Sequence, residues 1–283
     1  MKNILSLLFV LITSLGYGHI YDLSLCAIFK DEGPYLKEWI DYHRIVGVKH
    51  FYLFNHASQD NYLSVLQPYI DAGIVELEEA RDQPDFNGTQ VDCYNRGLIK
   101  SRGVSTWVGF IDIDEFIMPT EDVDLAWLLS HYTKYAGVAL NWRSFGTSNL
   151  ERLDPNYPMI SQLIYCGLPT YSANVHVKSI VRPELAMQFC GPHNPVYVPG
   201  WFAVDVQMAQ QEGPLSKTIK LDPIRINHYW TRDEYYFNNF KKPRRLSWGD
   251  VDWHFPIILE ALNEDVDTTM LRYVSRLKDK SNG

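Results

Sequence analysis

The sequence predicts an α/β fold built on an open, mainly parallel sheet with helices on both faces. Three observations predict it. Short apolar runs alternate with amphipathic stretches from residue 22 to residue 146, in the order β-α-β-α-β-α-β-α-β. At 283 residues and 46% hydrophobic content, the chain is long enough to bury a large core as one elaborated domain. After residue 147 the alternation loosens into Pro- and Gly-rich sequence without an internal repeat or low-complexity linker. That half reads as an irregular addition to the first, not as a separate domain.

The elements follow in order. "LSLCAIF" (23–29) is the first strand, and Pro34 then opens a helix whose Leu36, Trp39, Ile40 and His43 share one side. "HFYLFNH" (50–56) is the second strand, followed by the helix "SQDNYLSVLQPYIDAG" with Ser58 or Asp60 as cap and Gly73 as stop. "IVELEEA" (74–80) is the third strand and "TQVDCYNRGLIKSRG" (89–103) the third helix. "TWVGFIDIDEF" (106–116) reads as one continuous fourth strand, "DVDLAWLLSHYT" (122–133) as a helix and "GVALNWRSFG" (137–146) as the fifth strand. Beyond these lie "ANVHVKSIVRP", "VYVPGWFAVDVQM" and "IRINHYW", then helical stretches near 231–240 and 256–279.

The N-terminus, "MKNILSLLFVLITSLGYG", has a cationic start at Lys2, an apolar stretch from Ile4 to Leu15 and a small-x-small end at Gly16-Tyr17-Gly18. Residues 1–18 therefore read as a signal peptide or a short membrane anchor. The expected location is the secretory pathway or a membrane, on the cytosolic face if the segment is an uncleaved anchor. None of Cys26, Cys93, Cys166 and Cys190 forms a CxxC pair, which argues against a cysteine zinc site. Cys26 and Cys93 read as reduced core thiols, and Cys166 and Cys190 as a pair open to bridging in an exported protein.

A formal charge of −8 argues against nucleic acid as a partner. The one basic cluster, Lys241-Lys242-Pro243-Arg244-Arg245, is local: a solvated surface, a membrane contact or a grip on a diphosphate. Aromatic residues make up 14% of the chain, which suits a sugar-handling cleft although most belong to the core. The informative stretch is "WVGFIDIDEFIMP", where an apolar strand ends in Asp112, Asp114 and Glu115. Buried carboxylates need a partner, either a metal ion or a basic side chain, unless water reaches them. In open α/β sheets ligands bind beyond the carboxyl ends of the strands, where these acids lie. A phosphatase-type Asp-x-Asp nucleophile fits poorly, because Phe116 holds its fifth position and the motif closes the fourth strand. A glycoside hydrolase pair fits poorly as well, since Asp112 and Asp114 are too close to flank a glycosidic bond.

The run "KDEGPYLKEWIDYHRIVGVKHFYLFNHASQDNYLSVLQPYIDAGIVEL", then "WVGFIDIDEFIMP", "NWRSFGTSN", "VKSIVRP" and "INHYW", resembles glycosyltransferase family 92 and the neighbouring family-2-like sugar transferases. The resemblance is ordered along residues 22 to 245. It implies a GT-A fold, with residues 19–146 as the nucleotide-sugar-binding half and 147–283 as the acceptor-side half. It also implies a nucleotide-sugar donor (most simply a UDP-sugar), a glycan or other hydroxyl acceptor, Mn2+ or Mg2+, and inversion at the transferred sugar. Asp112-Ile113-Asp114 matches the D-x-D motif, with Asp114 on the metal and Asp112 on ribose or a metal-bound water. Lys30-Asp31-Glu32 and Asp60 match elements on the nucleoside side, and His228 matches a late histidine completing the metal shell. Lys178 and Arg244 or Arg245 are the candidates for steadying the leaving diphosphate. Trp142, Arg143 and Phe145 are expected near a sugar, with Arg143 bonding hydroxyls or phosphate, or else Trp142 and Phe145 alternate into the core. Asp205, Glu184 and Asp154 are the candidates for the base, and no family motif maps onto them. The alternative reading is a non-catalytic nucleotide-sugar- or glycan-binding protein on the same fold.

Overall fold

The near-continuous apolar composition of the first strands marks them as covered on both faces. The structure, a computed structural model, describes residues 19–281 and bears this out. The signal-like segment over 1–18 lies outside the described residues. In the first half the elements are β1 (Tyr21–Phe29), α1 (Gly33–Ile45), β2 (His50–Asn55), α2 (Tyr62–Asp71), β3 (Val75–Glu79), α3 (Phe86–Ser101), β4 (Ser105–Phe110), β5 (Glu115–Pro119), α4 (Leu125–Leu129) and β6 (Gly137–Ser144). The second half adds α5 (Met159–Gln162), β7 (Tyr165–Cys166), β8 (Val177–Val181), β9 (Ala186–Phe189), β10 (Pro195–Tyr197), β11 (Ala203–Asp205), β12 (Gln210–Gln211) and β13 (Ile224–His228). It ends with α6 (Glu234–Tyr236), α7 (Lys242–Ser247), α8 (His254–Leu262), β14 (Asp265–Val266) and α9 (Val274–Ser281).

The central sheet runs β12-β11-β6-β8-β4-β1-β2-β3, with β4, β1, β2 and β3 parallel. β8 enters antiparallel between β4 and β6, so the sheet is assembled from both halves of the sequence. β13 lies parallel to β6 and antiparallel to β5. One core cluster joins α1 to β1, β2 and β5 through Trp39, Ile40, Phe51 and Ile117. A second packs α3 against β1 and β4 through Cys93, Leu98, Cys26 and Phe110. The helix approaches the sheet closely at Gly97, where any added Cβ would collide with the Cys26 sulfur.

Three expectations need correction, and one open question is answered. The predicted fourth strand is two strands, because Glu115 N–H donates to the Asp112 carbonyl (3.1 Å) and closes a turn over Asp112–Glu115. α2 starts at Tyr62 after Asn61, and neither Ser58 nor Asp60 is its cap residue. Ser58 Oγ instead accepts from Asp31 N–H (2.9 Å), while Asp60 accepts from Gly33 N–H (2.6 Å) and Tyr62 N–H (3.2 Å). The helix expected over 256–279 breaks at Asn263, where β14 leaves to pair with β7. All four cysteines are free; Cys166 faces the core on β7 whereas Cys190 is exposed beyond β9, so the two are not bridged.

His43 on α1 supplies a pH test. Its Nδ1–H donates to the Trp39 carbonyl (2.8 Å) and its Nε2 accepts from Ile117 N–H (3.1 Å), so both nitrogens are used by a neutral ring. Burial pushes its pKa down to about 3. An unfolded histidine titrates near pH 6.5, so stability is fully present above that value and is lost as pH falls from there toward the folded pKa. The expected slope is up to about 1.4 kcal/mol per pH unit from this group. His43→Gln should flatten the stability profile between pH 6 and 4 by one proton, as measured by urea denaturation; an unchanged slope would place the ring in a protonatable environment.

Candidate functional site

The acidic turn is held at the carboxyl end of β4 by two basic side chains. Asp112 Oδ2 accepts from Lys178 Nζ (3.0 Å), and its Oδ1 accepts from Gln90 Nε2 (2.7 Å) and the Tyr94 hydroxyl (3.1 Å). Asp114 Oδ2 accepts from Lys241 Nζ (2.9 Å), and its Oδ1 lies 3.5 Å from His228 Nε2. Glu115 is fully buried beneath them, accepting from Asp112 N–H (2.9 Å) through Oε2. Its Oε1 has no hydrogen-bond partner among the described residues.

Electrostatics sorts the three acids. Burial acts to raise Asp112 and Asp114, but Lys178 holds the first below its ordinary range and Lys241 with His228 hold the second well below it. Burial pushes Glu115 up to about 8, so it is protonated at neutral pH. Two carboxylates thus face two ammonium groups. Burial also lowers the His228 pKa, against the pull of Asp114.

Gln90, Asp112, Asp114, Lys178, His228 and Lys241 line a cleft of about 250 Å³. Its floor is the end of β1 with Lys30 and Glu32, and the acidic turn. One wall carries Trp142, Lys178, His193 and His228; α3 contributes Phe86 and Gln90. The roof is the segment from Lys241 through Arg244 and Arg245 to Trp248, whose ring stacks on Phe86 (5.9 Å). His193 Nδ1 meets the Val177 carbonyl at 2.8 Å. A carbonyl only accepts, so Nδ1 carries the proton and Nε2 remains an acceptor. Burial lowers this histidine to about 4.

A family model described as glycosyltransferase family 92 matches residues 21–210, about two thirds of the chain and including the acidic turn and Lys178. The chain belongs to glycosyltransferase family 92. A family 92 protein of Ricinus communis is 27% identical over 168 residues, covering 58% of this chain and 29% of that protein. The galactan beta-1,4-galactosyltransferase GALS3 of Arabidopsis thaliana is 32% identical over 157 residues, covering 52% and 28%. This family 92 chain thus spans less than a third of the length of the curated relatives it matches. Among solved structures, Staphylococcus aureus TarS (residues 1–349) aligns at a TM-score of 0.39 and 13% identity over 58% of this chain and 48% of that one. Glucosyl-3-phosphoglycerate synthase of Mycobacterium tuberculosis, solved with Mn2+ and UDP, aligns at 0.35 and 13% over 59% and 58%. The architecture here is mixed α/β around a large and mostly parallel sheet.

In this family 92 chain the cleft gathers Lys30, Glu32, Asp112, Asp114, Trp142, Lys178 and His228, together with Arg244 and Arg245. Several other expected residues lie elsewhere. Arg143 is one position from Trp142 on β6, so it points to the opposite face, where it pairs with Asp265 (2.7 Å). Phe145 is core, packed on Tyr229. Asp60 is outside the cleft lining and holds the loop entering α1. None of the three base candidates reaches the cleft. Asp205 closes the β11–β12 turn by accepting from Gln207 and Ala209 N–H. Glu184 sits at the amino ends of β1 and β4, bonded to His19 and Gly103 N–H. Asp154 accepts from Asn156 N–H in an exposed turn.

Sequence reasoning did not single out Lys241, His193 and Arg232 as site-building residues. Lys241 was visible only as one member of a basic run, and Arg232 carried no local signal. Arg232 is fully buried, ion-paired with Glu32 and stacked between Tyr35 (3.6 Å) and Tyr236 (4.4 Å).

The donors present suit a hard divalent cation at one point. Asp114 Oδ1 and His228 Nε2 are too far apart for a good hydrogen bond but correctly spaced for two ligands of one ion with bonds of roughly 2 Å. Asp112 lies beside them, oriented by Lys178, Gln90 and Tyr94. Among the described residues no group of three or more His, Cys, Asp or Glu side chains surrounds one point. Asp114 and His228 are thus the pair at ligating distance, with Asp112 beside them in the cleft lining. Such a site suits an ion that keeps waters and substrate phosphates in its shell.

Proposed function

We propose that the chain is a glycosyltransferase that moves a sugar from a nucleoside diphosphate sugar to a hydroxyl of a glycan or other acceptor, with a divalent cation held by Asp114 and His228. The observation that carries this reading is the pairing of the acidic turn with Lys178, Lys241, Arg244 and Arg245 in one cleft at the carboxyl ends of the strands. Neither an acid-lined nor a base-lined pocket alone serves a diphosphate bridged to a cation; this cleft has both.

The residues divide the work. Lys178, fixed by Asp112 and Glu115, presents a positive charge to the leaving diphosphate from one wall, and Arg244 and Arg245 do so from the roof. Asp112, oriented by Gln90 and Tyr94, faces the ribose side beside Lys30 and Glu32. Trp142 and His193 offer an aromatic face and an unprotonated ring nitrogen to sugar hydroxyls on the acceptor side. A bound divalent cation would supply further stabilisation of the charge that develops on the diphosphate. Inversion by a single displacement, a UDP-sugar donor, and a secretory or membrane location belong to the same proposal; among the described residues no helix is long and apolar enough to cross a membrane.

The test is a screen of UDP- and GDP-sugars for binding and hydrolysis, with Mn2+ and with EDTA. Binding and turnover are expected only with the cation, because Asp112 and Asp114 already hold Lys178 and Lys241. Equal donor affinity in EDTA would remove the metal from the reading. The exclusion of Asp205, Glu184 and Asp154 from the cleft favours a second reading, the non-catalytic binder. Metal-dependent donor binding without hydrolysis or transfer to any glycan would select it.

A further inference from the structure

Lys241 sits where a cation is expected and is not itself a metal ligand. It closes a five-residue π-helical segment, Phe237–Lys241, of the kind that often marks functional positions. Phe237 anchors the segment against Trp230 and Phe255. The Lys241 ammonium is buried, 2.9 Å from Asp114 Oδ2 and 5.4 Å from the Trp230 ring. The other oxygen of Asp114 faces His228. One carboxylate thus offers Oδ1 to a divalent ion and Oδ2 to a lysine. The lysine belongs to the roof that also carries Arg244 and Arg245 over the cleft.

We infer that Lys241 is a resident counter-cation for Asp114: it neutralises that carboxylate in the absence of donor, competes with the divalent cation, and passes to the diphosphate when donor and cation bind together. The inference rests on the metal-dependent reading above and assigns a residue beyond the family-matched segment. Two like charges on one carboxylate repel, so an arriving cation weakens the Lys241 contact. The diphosphate then offers that ammonium stronger acceptors at the same place.

The consequence is a pair of effects with opposite signs. In the nucleotide-free protein, Lys241→Met should bind Mn2+ about tenfold more tightly than wild type, and at saturating Mn2+ it should bind UDP about tenfold more weakly, each the size of one charge-assisted contact. Lys241→Gln, which keeps a hydrogen-bond donor without the charge, should shift both in the same directions and covers the case in which the methionine variant does not fold. Lys241→Arg should leave Mn2+ affinity near wild type. Calorimetry on the full chain, with Asp114→Asn as control, reads all of these. If Asp114→Asn loses Mn2+ while the uncharged Lys241 variants bind it no more tightly than wild type, the counter-cation role is wrong and the metal reading stands. If wild type fails to bind Mn2+ even with UDP, the metal reading fails and this inference falls with it.

Discussion

Asp114→Asn is expected to reduce sugar transfer by roughly 10²–10³-fold or more, the scale of losing one preorganised electrostatic group, while the protein stays folded. The substitution keeps the side chain's shape and an oxygen for hydrogen bonding but removes the charge. Two groups lose their partner at once: Lys241 on Oδ2, and any cation shared by Oδ1 with His228. The backbone of the turn is held independently. Glu115 N–H bonds to the Asp112 carbonyl, and Tyr229 N–H bonds to the Asp114 carbonyl (2.8 Å), so neither depends on the carboxylate. Circular dichroism together with a transfer assay at saturating Mn2+ separates the two effects. A folded variant with near-normal transfer would leave Asp114 with only the ion-pair role.

The sequence made the parallel half of the fold legible because its signals are local. β1, β2, β3 and β6 lie within a residue or two of the expected runs, and Leu36, Trp39, Ile40 and His43 are buried on one face of α1 as their spacing requires. The acidic turn was legible as a cluster but not as a turn. Asp112 and Asp114 alternate with apolar residues, and that alternation reads as strand when the capping bonds that bend it come from the backbone itself. Partners distant in sequence were not legible at all. Lys178 lies 66 residues from Asp112 and Lys241 lies 127 from Asp114, and only the antiparallel insertion of β8 and the return of the roof bring them together. The base candidates lie outside the cleft lining for a physical reason. An acid that interrupts an apolar run is as well explained by a turn whose N–H groups need an acceptor, and Asp205 serves such a turn. Arg143 and Trp142 show the same limit: period two separates their faces, but sequence does not say which face is the cleft.

Arg232→Ala should cost about 3–5 kcal/mol of stability, the range for removing one partner of a buried ion pair. Arg232 has a relative exposure of 0% and holds a left-handed backbone (φ 52°), a conformation retained only when the surroundings fix it. Its guanidinium links Glu32, at the start of α1, to the chain two hundred residues later, and lies between the rings of Tyr35 and Tyr236. Truncation removes the stacking, leaves a void between two aromatic rings, and strands Glu32 without its counter-charge. Two features pull the cost toward the lower end. Burial already raises the Glu32 carboxyl, so it can take up a proton once the arginine is gone, and Nε and Nη1 of Arg232 have no hydrogen-bond partner to lose among the described residues. The alanine is no easier to hold at positive φ than the arginine, so the backbone gives nothing back. Arg232→Lys should recover little, because an ammonium neither stacks between the rings nor reaches the carboxylate with a planar fork. Urea denaturation of the three proteins checks this at neutral pH. A loss below about 1 kcal/mol in the alanine variant, or full recovery by lysine, would mean that the contact acts as a surface ion pair does and that another interaction ties the Arg232 loop to α1.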